Sequence, residues 1–217
     1  MAFLPLATQP ESGDDAGMRI EIPLYEGYDE VDAVGPFEVL SNAAFAVEDL
    51  QVALVGAHGP GEVTAAHGMR VVCDEGLSDA ADLVLVPGGG WVRGGGVRAQ
   101  YEDGSLADRL RGLHAGGAAM ASVCTGAILL AQAGILEGRP ATTHRAALDH
   151  IVDMGADVDY EARVVDDGDV LTCGGVTSGF DLALHLVERE WGAELAGNIA
   201  TLMEHQRQPA RSTGARS

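Results

Sequence analysis

The sequence predicts a single α/β domain with a mostly parallel sheet and helices on both faces. Segments typical of strands alternate with segments typical of helices, which favours a parallel sheet covered on both sides. Several predicted strands are almost wholly apolar, as is usual for strands buried on both faces. The chain has 217 residues, 47% of them hydrophobic, which suits one sizeable core.

In the first half of the chain, strands and helices are indicated by apolar runs and by helical spacing. The first helix has apolar residues on one side and Pro36 near its start, where a helix tolerates proline. The second and third strands read LQVALVG and LVLV, and the second helix carries a stripe of leucines. In order, we predict a strand at 19–25, a helix at 31–44, a strand at 50–56, an extended excursion at 63–73, a strand at 83–86 and a helix at 105–115.

The second half continues the alternation and adds a hairpin. The next strand, AAMASV, is buried, and the helix after it ends at Gly134. The turn DDGD at 166–169 is typical of a hairpin, and the last two helices are amphipathic. In order, we predict a strand at 118–123, helices at 125–133 and 145–154, hairpin strands at 163–165 and 170–172, and helices at 177–191 and 193–203.

We predict one domain at 18–204, with a disordered leader at 1–17 and a flexible polar tail at 205–217. The leader is rich in Pro, Ser, Gly and Asp, and it lacks the basic start and long apolar stretch of a signal peptide. The chain contains no run of about 18 apolar residues, so we expect no transmembrane helix and no membrane partner.

The charge balance is strongly acidic, with a formal net charge of −20. All 13 basic residues are arginine. Such a surface repels phosphate backbones, so we expect no nucleic-acid partner. The acids are scattered along the chain, which favours a halophilic origin with a salt-rich cytoplasm, where screening weakens self-repulsion. An acidic partner-binding surface is the alternative.

Three cysteines, Cys73, Cys124 and Cys173, form no CxxC pair. An odd number of cysteines in a chain without a signal peptide indicates free thiols in a reducing cytoplasm. We interpret Cys73 and Cys173 as inert core residues, a reading that Cys124 also allows.

The segment SVCTG at 122–126 is the most informative one, because a buried strand ends at Cys124 and a helix begins directly after it. This is the cysteine form of a nucleophile elbow, in which small neighbours allow a tight turn that exposes the thiol. The N–H groups and positive dipole end of the new helix are expected to stabilise the thiolate and lower the pKa of Cys124.

The loop PGGG at 87–90 follows another strand, and its glycines allow the backbone to approach a ligand closely. The N–H groups of Gly89 and Thr125 could form an oxyanion hole, with Gly90 beside the substrate. The loop lacks GK[ST] and GxGxxG motifs, so we expect no nucleotide and no other cofactor. An ordinary flexible loop is the alternative.

Two further residues are candidates for acid, base or pocket roles. Asp32 begins the first helix and could act as the acid or base beside the sulfur, although an acid that only interacts with the helix dipole fits equally well. His144, 20 residues after the elbow, is a pocket candidate or a structural histidine. His144 and His150 have the wrong spacing for one helix face, and we expect no metal site.

These segments, in this order, resemble the ThiJ/PfpI family of the class I glutamine amidotransferase-like superfamily. The resemblance implies a flavodoxin-like three-layer sandwich, usually dimeric, and the hydratase-like branch that acts on isonitriles is the most similar. The family's acid then falls on Asp32 and the threonine after its nucleophile on Thr125, while the glycine-rich stretch 91–96 departs from that branch. The strongest segments are VDAVGPFEVL at 31–40, LVLVPGGG at 83–90, SVCTGAILLAQAGILEGRPATTH at 122–144 and GGVTSGFDLALHLVE at 174–188.

The resemblance predicts hydration of an isonitrile to an N-substituted formamide, a lyase reaction on a small-molecule substrate. Cys124 is expected to attack the terminal carbon, and Asp32, with a raised pKa, to transfer protons. Thr125 is expected to bond Asp32 or the intermediate. Two alternatives remain: an amidase or a deglycase or glyoxalase on the same scaffold, and a non-enzymatic redox sensor based on Cys124.

Overall fold

The computed structural model describes residues 17–208 and 210–212, so the predicted leader lies outside it except for Gly17. Its strands, in chain order, are β1 (Met18–Leu24), β2 (Leu50–Gly56), β3 (Gly61–Thr64), β4 (Arg70–Cys73), β5 (Leu83–Val86), β6 (Ala119–Val123), β7 (Pro140–Ala141), β8 (Asp157–Val158), β9 (Val164–Asp166), β10 (Val170–Cys173) and β11 (Arg211–Ser212). The helices are α1 (Glu30–Ala44), α2 (Gly96–Asp103), α3 (Ser105–Ala115), α4 (Gly126–Gln132), α5 (Leu148–Asp153), α6 (Ser178–Trp191) and α7 (Ala193–Leu202).

Seven strands form a central sheet in the order β11-β9-β10-β6-β5-β1-β2. The five strands from β10 to β2 are mutually parallel, and β9 is antiparallel to β10 through the predicted hairpin. The strands at the centre, β5 and β6, are buried almost throughout, as their apolar sequences predict. Because parallel strands end at one edge, the loops after β1, β5, β6 and β10 meet there.

Two groups of helices pack around the sheet. Helices α1, α6 and α7 contact one another, and α2 to α5 form the second group around α4. The mostly parallel sheet with helices around it confirms the predicted fold class. Within the described residues, no helix is both long and apolar enough to cross a bilayer.

Helix α1 begins one residue before its predicted start and positions Asp32 in its first turn. Asp29 is the N-cap, and its side chain accepts a hydrogen bond from the Val31 N–H at 3.1 Å. Pro36 lies inside the helix but early, where few hydrogen bonds are lost. The cap and the proline together fix the position from which Asp32 reaches the sheet edge.

Several elements differ from the sequence-based predictions. Helix α2 was missed because its glycine-rich start lacks an apolar stripe, and α5 is shorter than the predicted 145–154. Strand β2, predicted to be buried on both faces, is an edge strand with an exposed or half-buried centre. The excursion at 63–73 forms most of the β3–β4 hairpin, and within the predicted tail β11 pairs with β9.

Candidate active site

Cys124 occupies a sharp turn between β6 and α4, at the carboxyl edge of the sheet. Its backbone has φ 56°, a left-handed conformation that costs a non-glycine residue energy and is typical of functional turns. The turn is held on both sides: the Cys124 N–H donates to the Gly174 carbonyl at 3.0 Å, and the Thr143 hydroxyl donates to the Cys124 carbonyl at 2.6 Å. The predicted elbow is therefore present as a strand–turn–helix.

Glycine is required on the helix side of this turn. A Cβ atom on Gly126 would lie 2.3 Å from the Val86 carbonyl oxygen and 2.8 Å from that of Pro87. These are backbone atoms of the neighbouring strand and loop, so they cannot move aside easily. The end of β5 approaches position 126 closely, which explains why the sequence has a small residue there.

Asp32, Cys124 and Thr125 come together around Gly88. A Cβ atom on this glycine would lie 2.5 Å from Asp32 Oδ2, 2.8 Å from Thr125 Oγ1 and 2.9 Å from Cys124 Cβ. The Gly88 N–H donates to Asp32 Oδ2 at 3.1 Å, and the Asp32 carboxyl group is in hydrogen-bond contact with the Cys124 thiol. The structure therefore brings three predicted site residues together.

The carboxyl group and the thiol are both buried, and their pKa values rise together. Burial, with a contribution from the charge of Asp29, raises the pKa of Asp32 to about 7. Burial and the charge of Asp32 raise the pKa of Cys124 to about 12. Between these two values the pair holds a single proton and a single negative charge.

The raised pKa of Cys124 contradicts the predicted lowering. The N–H groups of Thr125 and Val176 do lower it, as expected for donors aimed at sulfur. Their effect is smaller than those of burial and of the neighbouring carboxyl group, because Cys124 is only 7% exposed and Asp32 is fully buried. The sequence pattern located the turn but gave no measure of how deeply it is buried.

The donors around the sulfur also differ from the predicted pair. The Gly89 N–H donates to Thr125 Oγ1 at 3.0 Å, and the Thr125 hydroxyl donates back to the Gly89 carbonyl at 2.7 Å. Thr125 thus holds the glycine loop, and Val176 supplies the second N–H to the sulfur, beside that of Thr125. Val176 has φ 44°, which is strained for a β-branched residue.

Gly90 and His144 lie farther out. Gly90 packs tightly on the loop before α2, because a Cβ atom there would lie 2.2 Å from the Gly94 carbonyl oxygen. The ring of His144 packs on Gly175, and its Nδ1 accepts a hydrogen bond from the Ala146 N–H at 3.2 Å. His144 also lines a cleft of about 600 Å³. Its pocket role stays a prediction, and the bond to Ala146 also fits the structural role that the sequence allowed.

Tyr25 is a site residue that sequence reasoning missed. It follows β1, is 1% exposed, and donates its hydroxyl to the Pro87 carbonyl at 2.5 Å. Burial and the nearby charges of Asp32 and Cys124 raise its pKa well above the usual value, so it stays a neutral donor. Tyr25 therefore anchors the loop whose next residue contacts Asp32. Only its position at a strand end could have indicated this role.

Removing the Tyr25 hydroxyl is expected to loosen the loop. In Tyr25→Phe the Pro87 carbonyl loses its buried partner, so the free energy of unfolding should fall by about 1–3 kcal/mol. Denaturant unfolding measures this loss. Tyr101→Phe, at a half-buried ring on α2, is the control, and equal losses in both variants would contradict a specific anchor.

No group of three or more His, Cys, Asp or Glu side chains suited to a metal ion occurs among the described residues. The three cysteines are buried and free, and none is bonded to another. The site brings together one thiol, one carboxyl group and the backbone N–H donors of Thr125 and Val176.

Fold and site together define an α/β protein with a cysteine elbow paired with a buried carboxyl group. The DJ-1/PfpI family model matches residues 18–189, and the chain belongs to this family, as its resemblance to ThiJ/PfpI proteins predicted.

Individual relatives are similar over most of the chain. An isonitrile hydratase of Pseudomonas putida is 32% identical over 200 residues, covering 91% of this chain and 83% of its own. A Parkinson disease protein 7 homolog of Danio rerio is also 32% identical, covering 85% of this chain and 95% of its own. The crystal structure of a ThiJ/PfpI family protein from Pseudomonas syringae superposes with a TM-score of 0.78 at 25% identity, over 96% of this chain and 86% of its own.

Proposed function

We propose that this protein hydrates isonitriles to N-substituted formamides. The observation that carries the proposal is that Cys124 and Asp32 are both buried and come together around Gly88. Addition of a thiol across the isonitrile carbon needs both a sulfur nucleophile and a proton donor at the same atom. The 32% identity to an isonitrile hydratase over 91% of the chain supports the same reaction.

In the first step, the Cys124 thiol passes its proton to the Asp32 carboxylate as the sulfur attacks the terminal carbon, and Asp32 gives this proton to the same carbon. A C–S bond and a C–H bond form, the carbon–nitrogen triple bond becomes a double bond, and the product is a thioimidate, R–N=CH–S. Asp32 is left as the carboxylate, with its Oδ2 held by the Gly88 N–H. Oδ1 is buried without a hydrogen-bond partner among the described residues, and we assign the transferred proton to it.

In the second step, the carboxylate accepts a proton from water as the oxygen attacks the same carbon. Asp32 passes this proton to the nitrogen and becomes a carboxylate again, and the tetrahedral intermediate R–NH–CH(OH)–S forms. Cleavage of the C–S bond releases R–NH–CHO, and the hydroxyl proton returns to the Cys124–Asp32 pair. The N–H groups of Thr125 and Val176 stabilise the departing sulfur, so water and isonitrile are the only reactants.

The redox-sensor alternative fits the site less well, and the other enzymatic alternatives are separated from the hydratase by assay. A peroxide sensor requires an accessible thiolate, whereas Cys124 is buried with a raised pKa. A deglycase, glyoxalase or amidase could use the same pair, and assays separate it from the hydratase. The purified protein should convert an alkyl isonitrile to its formamide, followed by proton NMR. Consumption of methylglyoxal or an amide with no formamide from any isonitrile would reject the proposal.

We also propose that the protein acts as a homodimer. Val31, Val34 and Met69 are each 37–38% exposed and line an apolar groove of about 290 Å³ beside Phe180. Apolar side chains gathered on one helix face and its neighbouring hairpin are typical of a surface covered in the assembled protein. The groove lies on α1, so the same helix would carry both Asp32 and the interface.

Val34→Glu is expected to convert the dimer to a monomer, since it places a charge in the groove. Light scattering coupled to size-exclusion chromatography measures the mass. Val152→Glu, at a 40% exposed position on α5 outside the groove, is the control and should stay dimeric. A wild-type monomer, or a Val34→Glu variant that remains dimeric, would reject this interface.

The composition suggests where the protein works. Three unpaired, buried thiols suit a reducing cytoplasm, and a net charge of −20 suits one rich in salt. We therefore propose a halophilic cytoplasmic location for the reaction.

A further inference from the structure

The cleft of about 600 Å³ adjoins the cysteine elbow. Three of its lining residues contact Cys124 directly: Thr143 donates to its carbonyl, Gly174 accepts from its N–H, and the Val176 N–H reaches its sulfur. Of these contacts, only that of the Val176 N–H is made to the sulfur, so the cleft can hold the rest of a substrate that reaches the thiol from the side of Val176.

Arg145 lines the same cleft and carries an uncompensated charge. It is exposed, and it forms no ion pair or hydrogen bond with a residue that the structure describes. Apart from Arg93, every other described arginine is paired with an acid; these are Arg19, Arg70, Arg98, Arg109, Arg111, Arg139, Arg163, Arg189, Arg207 and Arg211. Acidic partners are abundant in a chain of net charge −20, so an arginine without one is unusual.

The other charged groups of the cleft do not compete for this role. The guanidinium group of Arg163 is held by Asp181 at 2.5 Å and by Thr177 at 3.1 Å. Glu161 also lines the cleft, but it lies beyond ion-pair distance of Arg145. Its negative charge disfavours a dianion such as phosphate more than a monoanion.

We propose that Arg145 binds a carboxylate of the substrate, so that the substrate class is isonitriles bearing a carboxylate group. This inference rests on the proposed hydratase function for the reacting end of the molecule. Arg145 lies two residues after Thr143, so it belongs to the segment that supports the elbow. The planar guanidinium group can donate two parallel hydrogen bonds to one carboxylate.

The kinetic test compares isocyanoacetate with its ethyl ester. The wild type should prefer the acid in kcat/KM, and Arg145→Gln should reduce that preference by about 10–100-fold, the range for a hydrogen bond to a charged group. Arg93→Gln, at the other arginine without an acidic partner among the described residues, should leave the preference unchanged. Glu161→Gln should keep or increase it. An unchanged preference in Arg145→Gln, with both substrates turned over, would reject the carboxylate site and leave the hydratase standing.

A binding measurement separates this inference from the proposed function. N-formylglycine, the product that the acid would give, should bind the wild type in calorimetry more tightly than its neutral amide does. Arg145→Gln should abolish the difference, and inorganic phosphate should not displace the ligand. If no isonitrile is turned over but this difference is observed, the hydratase fails and the carboxylate site stands. Equal binding of acid and amide, or displacement by phosphate, would overturn the carboxylate site.

Discussion

Cys124→Ala is expected to abolish isonitrile turnover, with a loss of at least about 10⁴-fold in kcat. The alanine removes the only sulfur at the elbow, so no thioimidate can form. The other thiols cannot substitute, because Cys73 and Cys173 are 2% and 0% exposed, respectively, within the core. Formamide production, followed by proton NMR on the purified variant, measures the loss.

The control for this variant is Cys73→Ala, which removes a buried thiol on β4, away from the elbow. It should keep near-wild-type kcat, although filling the core less well lowers its stability somewhat. Thermal unfolding of both variants shows whether the fold is retained. A folded Cys124→Ala protein with more than a small fraction of wild-type turnover would remove the thiol from the mechanism.

Asp32→Asn is expected to reduce kcat by about 10²–10⁴-fold, since an amide can neither give nor take the proton. The pH profile should change as well. In the wild type, turnover should rise with pH around 7, because burial raises the pKa of Asp32 to about 7 and the singly charged pair forms above it. That rise should be absent in the variant, and a profile that keeps it would assign the ionisation to another group.

The same substitution is expected to stabilise the protein at neutral and higher pH. The folded pKa of Asp32 lies above its ordinary value of 3.8, so the folded state binds the proton more tightly than the unfolded state. Wild-type stability is therefore lost as pH rises from about 4 to about 7, with an upper limit of about 4 kcal/mol. Asp32→Asn should not show this loss, and its stability advantage should vanish below about pH 4.

Asp29→Asn is the matched control for Asp32→Asn. Asparagine keeps the N-cap that Asp29 provides, so the start of α1 should be unchanged. Its loss of charge lowers the pKa of Asp32, because Asp29 contributes to raising it. Turnover should persist, with its rise shifted to lower pH. A loss of activity as large as that of Asp32→Asn would mean that helix disruption, rather than proton transfer, explains both variants.

The sequence was most informative where a residue pattern has only one local solution. A buried apolar strand followed directly by a small-residue turn and a helix predicts the elbow at Cys124, and the structure contains it. The antiparallel hairpin was also indicated by its turn residues, and the central strands by their apolar runs. These features depend on residues that are neighbours in sequence, and such patterns can be read directly from one sequence.

Other features depend on neighbours in space and were not predicted. The pKa of Cys124 rises because the thiol is buried and because Asp32, far away in sequence, lies against it. The contacts made by Tyr25 and Val176 arise where separate strand ends meet, and neither residue stands out from its local pattern. Helix α2 was missed because its glycine-rich start and weak apolar stripe hide a helix stabilised by packing on α4.

The thioimidate on Cys124 offers the most direct test of the account. The wild-type protein is mixed with an alkyl isonitrile, quenched in acid within a single turnover and mapped by peptide mass spectrometry. We predict an adduct on the peptide containing Cys124 with the full mass of the isonitrile, since addition of the thiol loses no atom. The account would be contradicted if formamide formed at the same rate while Cys124 stayed unmodified at every quench time, and if Cys124→Ala also produced formamide.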